Sequence, residues 1–272
     1  MKRLLAFDLD GTLAESKQPL GQDMASVLAQ LLEIAEVAVI SGGDWPQFER
    51  QIADRLVPGT HREGLWLMPT TGTKLYRYDQ EWRAVYSDGF DAAEKHKIRA
   101  AFAQALDKTA LSDAKIWGEQ LEDRDSQFTF SGLGQEAPLD AKAGWDPDRK
   151  KRKALQAELQ RLLPDLSIRL GGTTSIDVTR GGIDKAYALR RLATCSDIPI
   201  EDMLFFGDAL YPGGNDQPVQ TTGVASVQVR DPDETRTALS AILACADGPG
   251  YPRGQRLKGV LGPKWTPATG AK

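Results

Sequence analysis

Short apolar runs alternate along this chain with segments whose apolar positions recur every three or four residues. Arg3-Leu4-Leu5-Ala6-Phe7 reads as a buried strand that ends at Asp8. Gln22 to Ala35 carries Met24, Val27, Leu28, Leu31 and Leu32 on one stripe, the period of an amphipathic helix. Val37-Ala38-Val39-Ile40 is apolar without a break, as a strand covered on both faces must be. It stops at Ser41-Gly42-Gly43, after which Asp44 and Pro46 open a helix reaching about Leu56. Leu65-Trp66-Leu67-Met68 supplies a third strand before Thr70-Thr71-Gly72. This βαβαβ order predicts a parallel sheet with right-handed crossovers.

The pattern changes near residue 75. Leu75 to Tyr86 has closely spaced aromatics and predicts a hairpin, followed by a helix from Asp91 to Leu106. Leu121–Arg124 and Gln127–Ser131 read as strands joined at Asp125-Ser126. In the second, Phe128 and Phe130 face one way and Gln127, Thr129 and Ser131 the other. Pro147 is expected to start a helix with Leu155, Leu159, Leu162 and Leu163 inward, and Arg149-Lys150-Lys151-Arg152-Lys153 reads as its solvated outer face. Strands at Ser167–Leu170 and Ser175–Thr179 complete an antiparallel sheet backed by helices.

The parallel pattern then resumes. A helix begins at Asp184 with Ala186, Leu189 and Leu192 inward, and the strand Met203–Phe206 runs into Gly207-Asp208. Val224–Val229 and a helix from Pro232 to Ala246 complete the core. The fold class is therefore α/β, a Rossmann-like parallel-sheet core (residues 1–84 and 182–246) carrying an inserted α+β domain at 85–181. Residues 247–272, dominated by glycine, proline and lysine, are expected to be irregular and mobile.

Composition narrows the chemistry. The 272 residues suffice for a substantial core, and the net charge of −4 gives no nucleic-acid footprint. No stretch approaches a membrane span, and the N-terminal apolar run stops at Asp8, too early for a signal-peptide core. A cytoplasmic protein with no nucleic-acid or membrane partner is expected. Cys195 and Cys245 match no metal spacing and read as buried thiols. With only His61 and His96 present, zinc hydrolase and histidine-triad chemistry are disfavoured, and acid/base work falls to carboxylates. Gly132-Leu133-Gly134 lacks the strand-to-helix setting of a nucleotide loop, and no Gly-Lys-Ser/Thr motif occurs.

Asp8 and Asp10 bracket one residue at a strand end, so both project the same way while Leu9 points into the core. Like charges that close need a cation. Gly11-Thr12 then breaks the strand at its carboxyl end, where open α/β sheets bind ligands. The combination suits metal-assisted phosphoryl transfer, with one aspartate as nucleophile and the other as acid/base. A loop-capping aspartate is the plain alternative, but it does not account for two acids on one side. Ser41, Gly42 and Gly43 offer a hydroxyl and backbone amides at a helix N-terminus, a cradle for phosphate oxygens. Lys185 begins a helix after Gly181-Gly182-Ile183-Asp184, and Asp208, Asn215 and Asp216 follow a strand end. Each piece alone is commonplace; together, carboxylates around a phosphate call for a hard divalent cation such as Mg2+.

These four segments resemble the four motifs of the haloacid dehalogenase (HAD) superfamily of phosphotransferases. Within its subfamily IIB the chain is similar to the eukaryotic-type phosphomannomutases and their bacterial hydrolase-like relatives. The residues concerned are Phe205-Phe206-Gly207-Asp208, Pro212-Gly213-Gly214-Asn215-Asp216, Leu170-Gly171-Gly172-Thr173-Thr174-Ser175-Ile176-Asp177-Val178 and Asp184-Lys185. The resemblance implies that Asp8 becomes an aspartyl-phosphate and that Asp10 protonates the leaving oxygen, then activates the acceptor. It implies that Ser41 and the following amides hold the phosphoryl group while Lys185 screens charge. Magnesium would be bound by Asp8, the Asp10 carbonyl and Asp208, supported by Asn215 and Asp216. The insert would be a cap that closes over the site, and cap-mediated homodimers occur among similar proteins.

In the phosphomannomutases, cap arginines grip a second phosphate. Here Arg124 falls in a matching position, whereas Trp117 and Gln135 stand where two others are expected. Lys17 takes the place of a basic residue contributed by the core, and Ser175 and Asp177 match the sugar- and phosphate-contacting pair. With Glu122, Arg124, Gln127, Thr129, Gln135 and Asp177 reading hydroxyls and charge, the expectation is a phosphatase acting on a small sugar or polyol phosphate. A phosphomannomutase-type mutase is the alternative, and a non-catalytic sugar-phosphate binding protein a third.

Overall fold

The computed structural model describes residues 2–109, 111 and 115–246, so the tail at 247–272 lies outside the described residues. In chain order the elements are β1 (Leu4–Phe7), α1 (Gln22–Leu31), β2 (Glu36–Ile40), α2 (Trp45–Gln51), β3 (Leu65–Met68), α3 (Pro69–Gly72), β4 (Lys74–Asp79), β5 (Glu81–Ser87), α4 (Ala92–Thr109) and β6 (Leu121–Asp123). There follow β7 (Gln127–Ser131), α5 (Leu139–Trp145), α6 (Lys150–Leu162), β8 (Leu166–Leu170), β9 (Ser175–Arg180), α7 (Lys185–Ser196), β10 (Met203–Gly207), β11 (Ala225–Gln228) and α8 (Pro232–Ala246). They form two compact units. One runs to Val85 and resumes at Asp184; the other is Tyr86–Ile183.

The first unit is built on a seven-stranded sheet ordered β11-β10-β1-β2-β3-β4-β5. The first five strands in that order are parallel, as βαβ crossovers require. The uninterrupted apolar runs of β1, β2 and β3 have the physical cause expected of them, because Leu4–Phe7, Val37–Ile40 and Leu65–Met68 are all buried. The aromatic hairpin belongs to this same sheet, with β4 antiparallel to β3 at Leu67 and Tyr76. Its aromatics pack against α2: Tyr76 stacks on Trp45 with centroids 4.0 Å apart, and Trp82 lies against the same ring. The first helix is shorter than its periodicity suggests, since Leu32–Ala35 turn into β2 after α1 ends at Leu31.

The second unit has a four-stranded antiparallel sheet ordered β6-β7-β9-β8. Phe128, Phe130, Ile176 and Val178 pack with Ile98 and Phe102 of α4 and Leu155 and Leu159 of α6. Two expectations are corrected here. Pro147 does not begin the helix: α6 starts at Lys150, after a left-handed Arg149, and a separate helix α5 precedes it. The basic run is not uniformly solvated, because Arg152 is buried and paired with Asp146 at 2.8 Å. The polar face of β7 is buried too, at Gln127, Thr129 and Ser131.

Cys195 and Cys245 are exposed rather than buried. They sit in the last turns of α7 and α8, past the final buried positions Leu192 and Leu239. Among the described residues, no helix is long and apolar enough to cross a membrane.

Candidate active site

Strand register collects the chemistry at one edge. Phe7 is level with Phe206 on one side and with Val39 on the other. Asp8, Asp208 and Ser41 therefore leave three neighbouring parallel strands at their carboxyl ends, where such sheets bind ligands. Gly11 makes the crowding workable. Its φ is +88°, and a Cβ there would stand 2.8 Å from Asp208 Oδ2.

The centre of the group is Lys185. Asp184 caps α7 by accepting from the Tyr187 amide at 2.8 Å, which places Lys185 in the first turn. The lysine is 3% exposed, and its ammonium donates to Asp8 Oδ1 at 2.5 Å and to Asp216 Oδ1. Asp216 is fully buried, and its second oxygen accepts from the Ala209 amide at 3.0 Å. Carboxylate oxygens of Asp8, Asp208 and Asp216 lie within 4.8 Å of one another.

Three carboxylates and one ammonium leave a formal charge of −2 (−3 + 1) in a mostly buried space. Such crowding favours the protonated carboxyl. Burial pushes the Asp8 carboxyl up to about 7, opposed by Lys185 and reinforced by Asp216. Burial and then the charge of Asp216 push Asp208 upward as well. Burial alone would lower the Lys185 ammonium, but Asp8 and Asp216 outweigh it and hold it above its ordinary value. An all-oxygen donor set with two surplus negative charges fits a hard divalent cation.

Asp10 is held differently. Its Oδ1 accepts from the Lys17 amide at 2.6 Å, and its Oδ2 from Gln47 Nε2 at 3.2 Å. Lys17 thus approaches through its backbone, at φ +61°, while its side chain is exposed. Gln51 is fully buried; its amide donates to the Gln18 carbonyl at 2.6 Å and lies 3.4 Å from Asp10 Oδ1. Sequence reasoning missed both glutamines. Their four-residue spacing on α2 was the available signal, but a helix face does not announce which loop it meets. Ser41 is buried, and its hydroxyl receives the Gly43 amide at 3.4 Å, so Ser41, Gly42 and Gly43 form a closed loop. Asn215 is exposed, unlike its neighbour Asp216.

Within the second unit, β7 and β9 bring together Gln127, Thr129 and Asp177. Thr129 donates to Asp177 Oδ1 at 2.7 Å and Gln127 to the same oxygen at 3.1 Å. Burial pushes Asp177 upward, with Arg124 opposing. Arg124 pairs with Glu122 at 2.7 Å. Ser175 lies further along, opposite Ser131. Gln135 sits in another loop, its carbonyl accepting from Lys142 at 3.0 Å, and its buried side-chain nitrogen has no partner among the described residues. Trp117 packs with Leu133, Ala137 and Trp145 in a small apolar cluster of its own. Arg152 also went unforeseen: it donates to Asp146 and to the carbonyls of Gly171 and Gly172, fixing the loop before Ser175.

Comparison with known proteins bears on the family and the fold. A sequence profile described as "Eukaryotic phosphomannomutase" matches residues 24–245. The chain is 26% identical to a probable phosphomannomutase of Caenorhabditis elegans, over 89% of this chain and 96% of that one. It is also 26% identical to the phosphomannomutase of Schizosaccharomyces pombe, over 89% and 95% of the two chains. Among solved structures, a haloacid dehalogenase-like hydrolase from Bacteroides thetaiotaomicron shares the fold with a TM-score of 0.58 and 14% identity, covering 89% of this chain and 100% of that one. The chain belongs to the eukaryotic phosphomannomutase family.

Proposed function

We propose that the protein is a magnesium-dependent phosphotransferase that moves a phosphoryl group between two hydroxyls of a hexose phosphate. The observation that carries this is the buried Asp8–Lys185–Asp216 group, at the carboxyl edge of the sheet in a chain of this family. The family match and the curated relatives support a mutase over the hydrolase that Trp117 and Gln135 alone suggest.

In this reading an Asp8 oxygen bonds to phosphorus as the bond from phosphorus to the sugar oxygen breaks, and Asp10 gives that oxygen its proton. For the return step Asp10 takes the proton of the acceptor hydroxyl, which attacks phosphorus as the bond to Asp8 breaks. Gln47, Gln51 and the Lys17 amide hold the Asp10 carboxylate for this work. Ser41 and the amides of Gly42 and Gly43 cradle the phosphoryl oxygens, and Lys185 screens the nucleophile. Asp8 and Asp208, with Asn215 and Asp216 in support, would hold magnesium, which when bound neutralises phosphoryl charge. Lys17, Arg124, Gln127, Gln135, Ser175 and Asp177 are the proposed readers of the sugar and its charge.

One observation favours a hydrolase as second reading. A distal phosphate needs cationic forks, and Trp117 is instead committed to an apolar cluster. A single assay separates the two. Hexose 1-phosphate is supplied with magnesium, with and without a hexose bisphosphate, and both isomerisation and free phosphate are followed. Bisphosphate-dependent isomerisation with little phosphate release is expected. Steady phosphate release without isomerisation would overturn the mutase in favour of the hydrolase.

A further inference from the structure

The short turn α3 adopts a conformation its side chains disfavour. Thr70 (φ 49°, ψ 44°) and Thr71 (φ 57°, ψ 36°) are both left-handed, and Gly72 follows at φ 82°. For β-branched residues this region is a genuine outlier, and two in succession persist only where the surroundings hold them. Those surroundings are the phosphate loop and the lysine helix. Ile40 and Met68 are level in the sheet, so the ends of β2 and β3 lie side by side. The Thr71 amide donates to the Ser41 carbonyl at 2.8 Å, and the Thr70 amide to the Gly43 carbonyl at 2.8 Å. On the other side, a Cβ at Gly72 would meet Ala188 Cβ of α7 at 2.5 Å. The turn is thus wedged between Ser41-Gly42-Gly43 and the helix that begins at Lys185.

The two threonines use their hydroxyls differently. Thr70 Oγ1 is buried and accepts from the Thr73 hydroxyl at 2.7 Å, within the turn. The half-buried Thr71 hydroxyl makes no hydrogen bond among the described residues. It stands 3.9 Å from the point where a methyl on Gly42 would sit, over the middle of the phosphate loop. A glycine at 71 would make the same backbone bonds without the left-handed penalty. What threonine adds is the hydroxyl.

We propose that Thr71 is a further ligand of the transferring phosphoryl group, its hydroxyl aimed across Gly42 by the left-handed turn. The inference rests on the reading of Asp8 and Ser41 as a phosphoryl site. The test uses the full chain and beryllofluoride, an acyl-phosphate mimic, with magnesium. Binding is titrated by fluorine NMR for the wild type, Thr71→Gly and Thr71→Ser, and the Tm of each unliganded protein is measured. Thr71→Gly is expected to melt no lower than wild type, because it relieves the backbone, yet to bind about 10-fold or more weaker, as loss of a hydrogen bond to a charged group implies. Thr71→Ser should bind within about 3-fold of wild type, since serine keeps the hydroxyl. Wild-type binding by Thr71→Gly, or loss of binding in Thr71→Ser, would overturn the role given to the hydroxyl. A Thr71→Gly protein that melts lower and binds normally would make the residue structural. Failure of the wild type to bind beryllofluoride is a separate outcome and would remove the phosphoryl-site reading itself.

Discussion

Lys185 Nζ stands 2.5 Å from Asp8 Oδ1 and also donates to Asp216, so one buried ammonium lies between two buried carboxylates. Removing one partner from such a group leaves the others buried and unpaired. Lys185→Met is therefore expected to destabilise the metal-free protein by about 3–5 kcal/mol. It should also abolish turnover even where added magnesium restores part of the stability. Urea unfolding with and without magnesium, beside the hexose phosphate assay, checks both; a variant as stable as wild type would contradict the geometry.

The raised Asp8 carboxyl has a consequence for pH. Its value in the fold, about 7, lies above the ordinary 3.8, so the folded chain binds that proton more tightly than the unfolded chain. The stability it contributes is present at low pH and lost as pH rises through about 7. With a chelator present, the Tm of wild type relative to Asp8→Asn should fall between pH 5 and pH 8. Saturating magnesium should flatten that difference, because the cation replaces the proton. Parallel melting profiles for the two proteins in chelator would contradict this.

Gly11 tests whether the acids must crowd. Alanine at a φ of +88°, with its Cβ 2.8 Å from Asp208 Oδ2, has to displace either the loop or the carboxylate. Gly11→Ala is expected to cost more than about 1 kcal/mol of stability and to weaken magnesium binding measured by calorimetry. Undiminished affinity would mean that Asp208 is not part of the cation site.

Arg152 predicts an effect confined to the second unit. Its guanidinium satisfies the buried Asp146 carboxylate and the carbonyls of Gly171 and Gly172. Arg152→Ala should destabilise by about 3–5 kcal/mol, followed by urea unfolding. In the assay it should raise KM more than it lowers kcat, because the loop it holds leads into Ser175 and Asp177 while Asp8 and Asp10 are untouched. A surface arginine, as the basic run suggests by itself, would give neither effect.

Much of the first unit was legible in the residues. A strand buried on both faces has to be apolar throughout, so β1, β2, β3 and β10 declared themselves. The residues that follow them are polar for reasons packing does not supply. Asp8, Asp10, Ser41 and Asp208 stood out in that way, and Lys185 as the first residue of a helix. The second unit was less readable. Its basic run reads as a solvated helix face, because charge on a helix marks a face without saying what covers it. Gln127, Thr129 and Arg152 are buried by contacts with Asp177 and Asp146, which come from distant or separately folded segments.

The sequence by itself determined the α/β class, the strand ends that carry acids and the family likeness, since each depends on residues close together in the chain. Only the tertiary structure decided which charges meet. It set Lys185 between Asp8 and Asp216, 177 and 31 positions away, and turned Gln47 and Gln51 onto Asp10. It also bent Thr70 and Thr71 into a conformation no local preference would choose. Pairings of that kind follow from sheet register and packing, and a pattern of hydrophobic and polar positions holds no record of either.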